Sequence, residues 1–253
     1  MIKKEYTWRV SQLFICQLSA ILLYASWLGG PFRGVWDRLD NAVFYFLNGS
    51  LQDGRSWQFF WAVANNRFFD LVPAMCMLGV FFHFLFAGNI EGVQRREGLQ
   101  RRVAVGIFMV VYSGLTTVAL SEIFCSIDRL SPSLVLEHSI RLSELFPDIP
   151  LKDASSVSFP GDHATILFLF AAFMWYYGGI QYGLAGLLLS VVFSLPRLVG
   201  GGHWLTDDVV GGGFIFLTAV GWALFTPLHG VTVNFLENGL GRIRERFQRW
   251  RQN

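Results

Sequence analysis

The run Ser158-Phe-Pro-Gly-Asp-His-Ala-Thr-Ile-Leu-Phe-Leu-Phe-Ala-Ala-Phe-Met-Trp-Tyr-Tyr177 changes character at His163, from a polar turn to an unbroken apolar stretch. Ser, Pro, Gly and Asp in that order mark a turn into a helix. The stretch Ala164–Tyr177 is short against the roughly 17–25 residues of a membrane span. Gly178-Gly179 and a second apolar run, Ile180–Leu195, follow directly, so the two runs predict a tight hairpin of membrane helices that borrow flanking residues to cross. Four further runs of this kind lie outward from the hairpin: Gln12–Leu28, Leu71–Gly88, Val103–Phe124 and Val209–Leu228. The fold expected is an all-α integral membrane protein of six transmembrane helices, residues 1–253 forming one membrane-embedded domain.

Composition agrees. Of 253 residues, 53% are hydrophobic, above the roughly 45–50% of a soluble domain. The net charge of +2 is too small to indicate a nucleic-acid partner. Cys16, Cys76 and Cys125 have no metal-ligand or disulfide spacing. Basic residues cluster in three places: Lys3, Lys4 and Arg9; the loop 89–102 with Arg95, Arg96, Arg101 and Arg102; and a tail with Arg242, Arg244, Arg246, Arg249 and Arg251. The positive-inside rule puts all three in the cytoplasm, which makes 1–11 and 229–253 cytoplasmic and requires an even number of spans. Segments 29–70, 126–163 and 196–208 then share the outer face, although 29–70 carries Arg33, Arg38, Arg55 and Arg67 at lower density. Leu39–Leu47, Trp57–Trp61 and Phe235–Trp250 suit helices lying in the interface among membrane lipids.

The outer segments hold the chemistry. In Arg197-Leu-Val-Gly-Gly-Gly-His203-Trp-Leu-Thr-Asp207 the spacing of four places the carboxylate one turn from the imidazole. There it can hold the Nδ1 proton and leave Nε2 as a nucleophile. Arg197 offers a planar fork to phosphate oxygens, and glycines 200–202 would let backbone amides approach an anion. His163 stands at the start of a helix, where Gly161, Asp162 and the unpaired N–H groups meet an anion and the imidazole can protonate a leaving oxygen. Two histidines, one nucleophile and one acid, suffice for a phosphohistidine route without metal or cofactor. The competing reading makes His203 and Asp207 an interfacial cap pair and Arg197 a snorkelling side chain. His83, His138 and His229 have no such partners in sequence.

These segments resemble the type 2 phosphatidic acid phosphatase superfamily, whose signature is Lys-x6-Arg-Pro, Pro-Ser-Gly-His and Ser-Arg-x5-His-x3-Asp. The third segment is met at Arg197, His203 and Asp207, with Pro196 before the arginine; Pro160-Gly-Asp-His163 replaces the second. The first is weakest: Arg129-Leu-Ser-Pro132 has no lysine upstream, which leaves Lys152 as the lysine for phosphate. The resemblance implies a helical bundle with His203 as nucleophile, Asp207 as its orienter, His163 as acid, and Arg129 and Arg197 as phosphate clamps. Lys152-Asp-Ala-Ser, the altered Gly161-Asp162 and Asn65-Asn-Arg-x2-Asp70 resemble the branch that transfers a phosphoryl group from undecaprenyl diphosphate to the 1-phosphate of lipid A, at the periplasmic face of the bacterial inner membrane. Asn65, Asn66, Arg67 and Arg141 then either bind donor or acceptor phosphate or cap the membrane interface. Two other functions compete: hydrolysis, with water as acceptor, and lipid binding without catalysis.

Overall fold

The computed structural model describes residues 7–87, 95–122 and 127–252. Those residues are overwhelmingly helical. Cys125, Lys3, Lys4, Gly88 and Phe124 lie outside them.

Among the described residues, five helices are long and apolar enough to cross a membrane. Three of them are α1 (Val10–Leu28), α4 (Leu71–Ala87) and α5 (Arg95–Leu120). The others are α9 (Ile180–Val199) and the pair formed by a π-helical turn, Asp207–Gly212, with α10 (Gly213–Phe225). The first half of the expected hairpin, α8 (Asp162–Gly178), has 17 residues, about 25 Å of helix against a hydrocarbon core of about 30 Å. Helix α4 also has 17 residues but reaches 20 with the 3₁₀ turn Arg67–Asp70 that precedes it, so five of the six expected spans have the length to cross and α8 falls just short. Their outward side chains are apolar: Phe14, Ile21, Met75, Phe82, Val110, Leu115, Leu188 and Val191 are all exposed. An apolar surface of this extent belongs in lipid, and the chain is a multi-pass membrane protein.

Two helices lie between α1 and α4, α2 (Arg33–Gly49) and α3 (Arg55–Ala64), where short interfacial helices are expected. Single turns follow at α6 (Pro132–Val135) and α7 (Leu142–Leu145), and the chain ends in α11 (Leu228–Gln252). The expected loop 89–102 is already helical from Arg95. Its Arg101 bonds Asn234 and Glu237 of α11, and Arg102 caps the carbonyls of Phe84 and Leu85 on α4. These arginines therefore also tie helix ends together.

Helix α8 packs on α9 and also meets α5 and α10, while α1 lies along α10. The α8–α9 contact is close because Gly186 has no side chain: a Cβ there would lie 2.6 Å from the Ala171 Cα. Phe84, Phe108, Phe173, Ala219 and Val233 fill the core between α4, α5, α8, α10 and α11. At the other end of the bundle, Trp27 stacks on Phe159 at 4.4 Å and packs with Val210 and Ile215. This end collects the N-termini of α4, α8 and the last span and the C-terminus of α9.

Asn48, 2% exposed, fastens the loops there. Its amide donates to the carbonyls of Ile140 and Val199, and its oxygen accepts from the Ile140 amide. Stranding a buried polar group costs about 1–3 kcal/mol. Asn48→Ala should lower the unfolding midpoint in detergent by roughly 5–10 °C. An unchanged midpoint would show that these bonds do not hold the loops.

Candidate active site

The C-terminus of α9 and the turn after it are built by local hydrogen bonds. Gly200, Gly201 and Gly202 donate to the carbonyls of Pro196, Leu198 and Arg197, and His203 also donates to Arg197. The expected anion cradle is thus absent: these amides close the helix end, a common use of glycine there. The glycines serve instead for close approach. A Cβ on Gly200 would collide with the Asn65 amide, and one on Gly202 would lie 2.5 Å from the Lys152 carbonyl oxygen.

Asn65, fully buried, joins three segments. Its side chain donates to the Pro196 carbonyl at 2.7 Å and accepts from Arg197 at 2.7 Å, and its carbonyl accepts from the Lys152 amide at 3.1 Å. Its polar atoms are therefore spent on positioning Arg197 and Lys152. Asn66 caps the turn Arg67–Asp70 by accepting from the Phe68 amide. Arg67 is exposed, and no ion pair holds it among the described residues. Arg141 pairs with Glu144 at 2.7 Å.

The cap places Asp70 where three cationic or protonatable groups converge. Its carboxylate lies 2.6 Å from Lys152 Nζ, 2.6 Å from Arg197 Nη2 and 3.3 Å from His163 Nε2. The three groups expected at phosphate are thus together, and a carboxylate already occupies the point where they meet. The other ring nitrogen of His163 faces Asp162 at 2.8 Å. An imidazole flanked by carboxylates at both nitrogens donates to both only as imidazolium. Asp162 Oδ1 also accepts from the His163 amide, so one of the helix N-terminal donors expected to face an anion is used internally.

His203 is held from the other side. Its Nδ1 lies 2.8 Å from the Ser158 carbonyl oxygen and 3.5 Å from Asp207 Oδ2. A carbonyl oxygen can only accept, so Nδ1 carries a proton, and in the neutral imidazole the lone pair is on Nε2. Asp207 was expected to hold that proton directly. The shorter bond goes to Ser158 because the Asp207 oxygens have other partners: Arg129 at 2.5 Å and the Trp204 amide at 2.8 Å. The second is a capping bond of the turn.

Arg129, expected as a phosphate clamp, is committed elsewhere. Its guanidinium pairs with Asp207 and, at 2.7 Å, with Asp40; it donates to Thr206 and lies over the rings of Trp27 and Trp204. It fixes Asp207 from behind. Gly161 likewise spends its amide on the Asp207 carbonyl at 2.8 Å. A Cβ on Gly161 would collide with the Asp208 carboxylate. Asp207 and Asp208 are consecutive and both buried, as the wide π-turn permits. Burial works against protonation of His203, but the nearby carboxylates of Asp207, Asp208 and Asp162 outweigh it and hold its pKa above the ordinary imidazole value.

Sequence reasoning missed Asp70, Asp208, Asp40 and the Ser158 carbonyl as site groups. Only Asp70, which closes a quoted motif, and Asp208, beside Asp207, left a visible signal. His83 bonds Tyr182 at 3.0 Å, buried His229 bonds the Ala223 carbonyl at 2.8 Å, and His138 sits in a loop. Among the described residues, no three His, Cys, Asp or Glu side chains group to hold a metal ion.

Two histidines backed by carboxylates, with arginine and lysine beside them, at one end of a bundle that faces lipid on its flanks: this is the constitution of an enzyme that processes lipid phosphates. Residues 102–230 match the PAP2 superfamily, and the chain belongs to that superfamily, the type 2 phosphatidic acid phosphatases that its motifs resemble. Lipid A 1-diphosphate synthase of Escherichia coli (strain K12) is 35% identical over 240 residues, covering 94% of this chain and 97% of that protein. No solved structure matches.

Asp70 offers a test of the cluster with a definite sign. Removing its charge frees Lys152, Arg197 and His163 for an added anion, so Asp70→Asn should bind orthovanadate roughly tenfold more tightly, measured as inhibition of turnover. Weaker vanadate binding would mean that Asp70 builds the anion seat and does not occupy it.

Proposed function

We propose that the chain transfers a phosphoryl group from undecaprenyl diphosphate to the 1-phosphate of lipid A through a phosphohistidine at His203, without metal or cofactor. The observation that carries this is the Nδ1 proton committed to the Ser158 carbonyl, which leaves Nε2 as a nucleophile. The choice of donor and acceptor is supported by the relative's name and the quoted motifs.

In the first half-reaction Nε2 attacks the terminal phosphorus. The bond from phosphorus to the bridging oxygen breaks, His163 gives its proton to that oxygen, and polyprenyl monophosphate leaves. Arg197 and Lys152 hold the equatorial oxygens once Asp70 yields its place. In the second half, an oxygen of the lipid 1-phosphate attacks, the phosphorus–nitrogen bond breaks, and His163 recovers a proton from the acceptor or solvent. Arg129 and Asp40 keep Asp207 beside His203, where its charge stabilises the imidazole through the cycle. Asn65 positions the clamp, Gly161 allows the two motif segments to touch, and the exposed Arg67 meets the acceptor headgroup; Asn66 caps the turn before Asp70, and Arg141 pairs with Glu144.

The same reading makes α8 the sixth span, its ends completed by flanking residues. The chain then sits in the bacterial inner membrane with both termini in the cytoplasm, 1–11 and 229–253, and the site faces the periplasm. The charge distribution supports this orientation.

Hydrolysis shares the first half-reaction. Purified protein given undecaprenyl diphosphate labelled at the terminal phosphate should pass label to lipid A and release little free phosphate in its presence. Equal release with and without lipid A would make water the acceptor. His203→Ala and His163→Ala should each cut turnover by at least about a thousandfold while inserting normally; full activity in either would refute the mechanism.

The elevated pKa of His203 fixes the sign of a pH effect. A protonated imidazole cannot attack, so turnover should rise with pH along a limb above about 6.5. Asp207→Asn removes a carboxylate that raises this pKa, and the limb should move to lower pH as the maximal rate falls. A limb that stays in place would detach Asp207 from the nucleophile.

A further inference from the structure

A second feature lies within the bundle and has no part in the phosphoryl chemistry. Between α8, α9 and the last span runs an apolar groove of about 600 Å³. Phe168 and Trp175 of α8, Gly183 and Leu187 of α9, and Val209 and Leu224 of the last span are among its walls. No charged side chain lines it, and the Tyr176 hydroxyl at its deep end is bonded to His229. Leu187, Trp175 and Val209 are exposed, so the groove opens sideways toward lipid.

Its position connects it with the site. Val209 follows Asp208, and Phe168 lies five residues along α8 from His163. From there the groove descends to Trp175 and Leu224, in the last turns of α8 and α10. The fifteen residue steps from Val209 to Leu224 span about 22 Å of helix, whereas one leaflet offers about 15 Å of hydrocarbon. The acyl chain of an outer-leaflet lipid therefore ends before the groove does. A chain that starts at the site and fills the groove must pass the bilayer midplane.

We infer that this groove seats the polyprenyl chain of the donor, so that donor selection rests on chain length as well as on the diphosphate. This deepens the function proposed above and depends on it for the donor's class. Leu187, which with Gly183 forms the α9 wall and is remote in sequence from both motifs, is the position to probe.

Leu187→Trp should raise KM for undecaprenyl diphosphate by about fivefold or more and leave kcat/KM for farnesyl diphosphate, too short to fill the groove, unchanged. Leu187→Ala should leave both donors as good as before, which guards against a general packing defect. Equal loss with both donors in Leu187→Trp, or no loss with either, would overturn the groove. A binding readout separates this from the function itself: benzoylphenylalanine at position 187, irradiated in vesicles of phosphatidylethanolamine containing undecaprenyl phosphate, should label the polyprenyl lipid. Labelling of phosphatidylethanolamine alone would also overturn the inference. Polyprenyl labelling in a protein that transfers no phosphate would keep the groove and discard the transferase.

Discussion

One hydrogen bond organises the chemistry of this protein, that from His203 Nδ1 to the Ser158 carbonyl. A backbone carbonyl cannot donate, so the bond fixes the tautomer of the neutral ring. Much of the surrounding structure serves to hold that carbonyl in place. The Ser158 amide donates to the Arg129 carbonyl at 2.8 Å, Ile127 bridges to Phe159, and Trp27 stacks on the Phe159 ring. The turn carrying His203 is fixed in its own way by the glycine-rich end of α9. His203, the proposed nucleophile, is therefore oriented by two segments far apart in sequence.

Charge is distributed unevenly around this pair. Arg129 is flanked by the buried carboxylates of Asp40 and Asp207 and by two tryptophan rings, and it acts as a brace. Lys152, Asp70 and His163, each about one-third exposed, form the open side. A cation sealed behind the nucleophile can steady a carboxylate without competing for substrate. Cations at the open side can exchange an internal carboxylate for a phosphate. The two arginines of the same signature differ in partner rather than in burial: Arg197, 6% exposed, faces the half-buried Asp70 on the open side, whereas Arg129, 14% exposed, faces the buried Asp207 and Asp40.

The sequence made much of this legible because the strongest signals are local. Apolar runs located the long helices to within a few residues except at α5, which begins eight residues before its run; Gly178-Gly179 marked the hairpin, and the spacing of His203 and Asp207 survived as a neighbouring pair. What it could not show was the partner of each polar group when that partner lay far along the chain. Arg197 meets Asp70 across 127 residues, and Arg129 meets Asp40 across 89. Glycines 200–202 were misread for the same reason: an anion cradle and a helix end have the same composition, and only the acceptors of their amides distinguish them. Asn65 looked like a substrate contact, yet its buried bonds make it a brace. The shortfall at α8, 17 residues where a full crossing is expected, also depends on flanking segments that periodicity does not register.

The proposed phosphohistidine can be looked for directly. Protein incubated with undecaprenyl diphosphate labelled at the terminal phosphate, without acceptor, is quenched in alkali and mapped by mass spectrometry. The account predicts an acid-labile, alkali-stable phosphate on His203, absent from His203→Ala and discharged by adding lipid A. Label on His163, or turnover that passes through no phosphorylated protein, would contradict it.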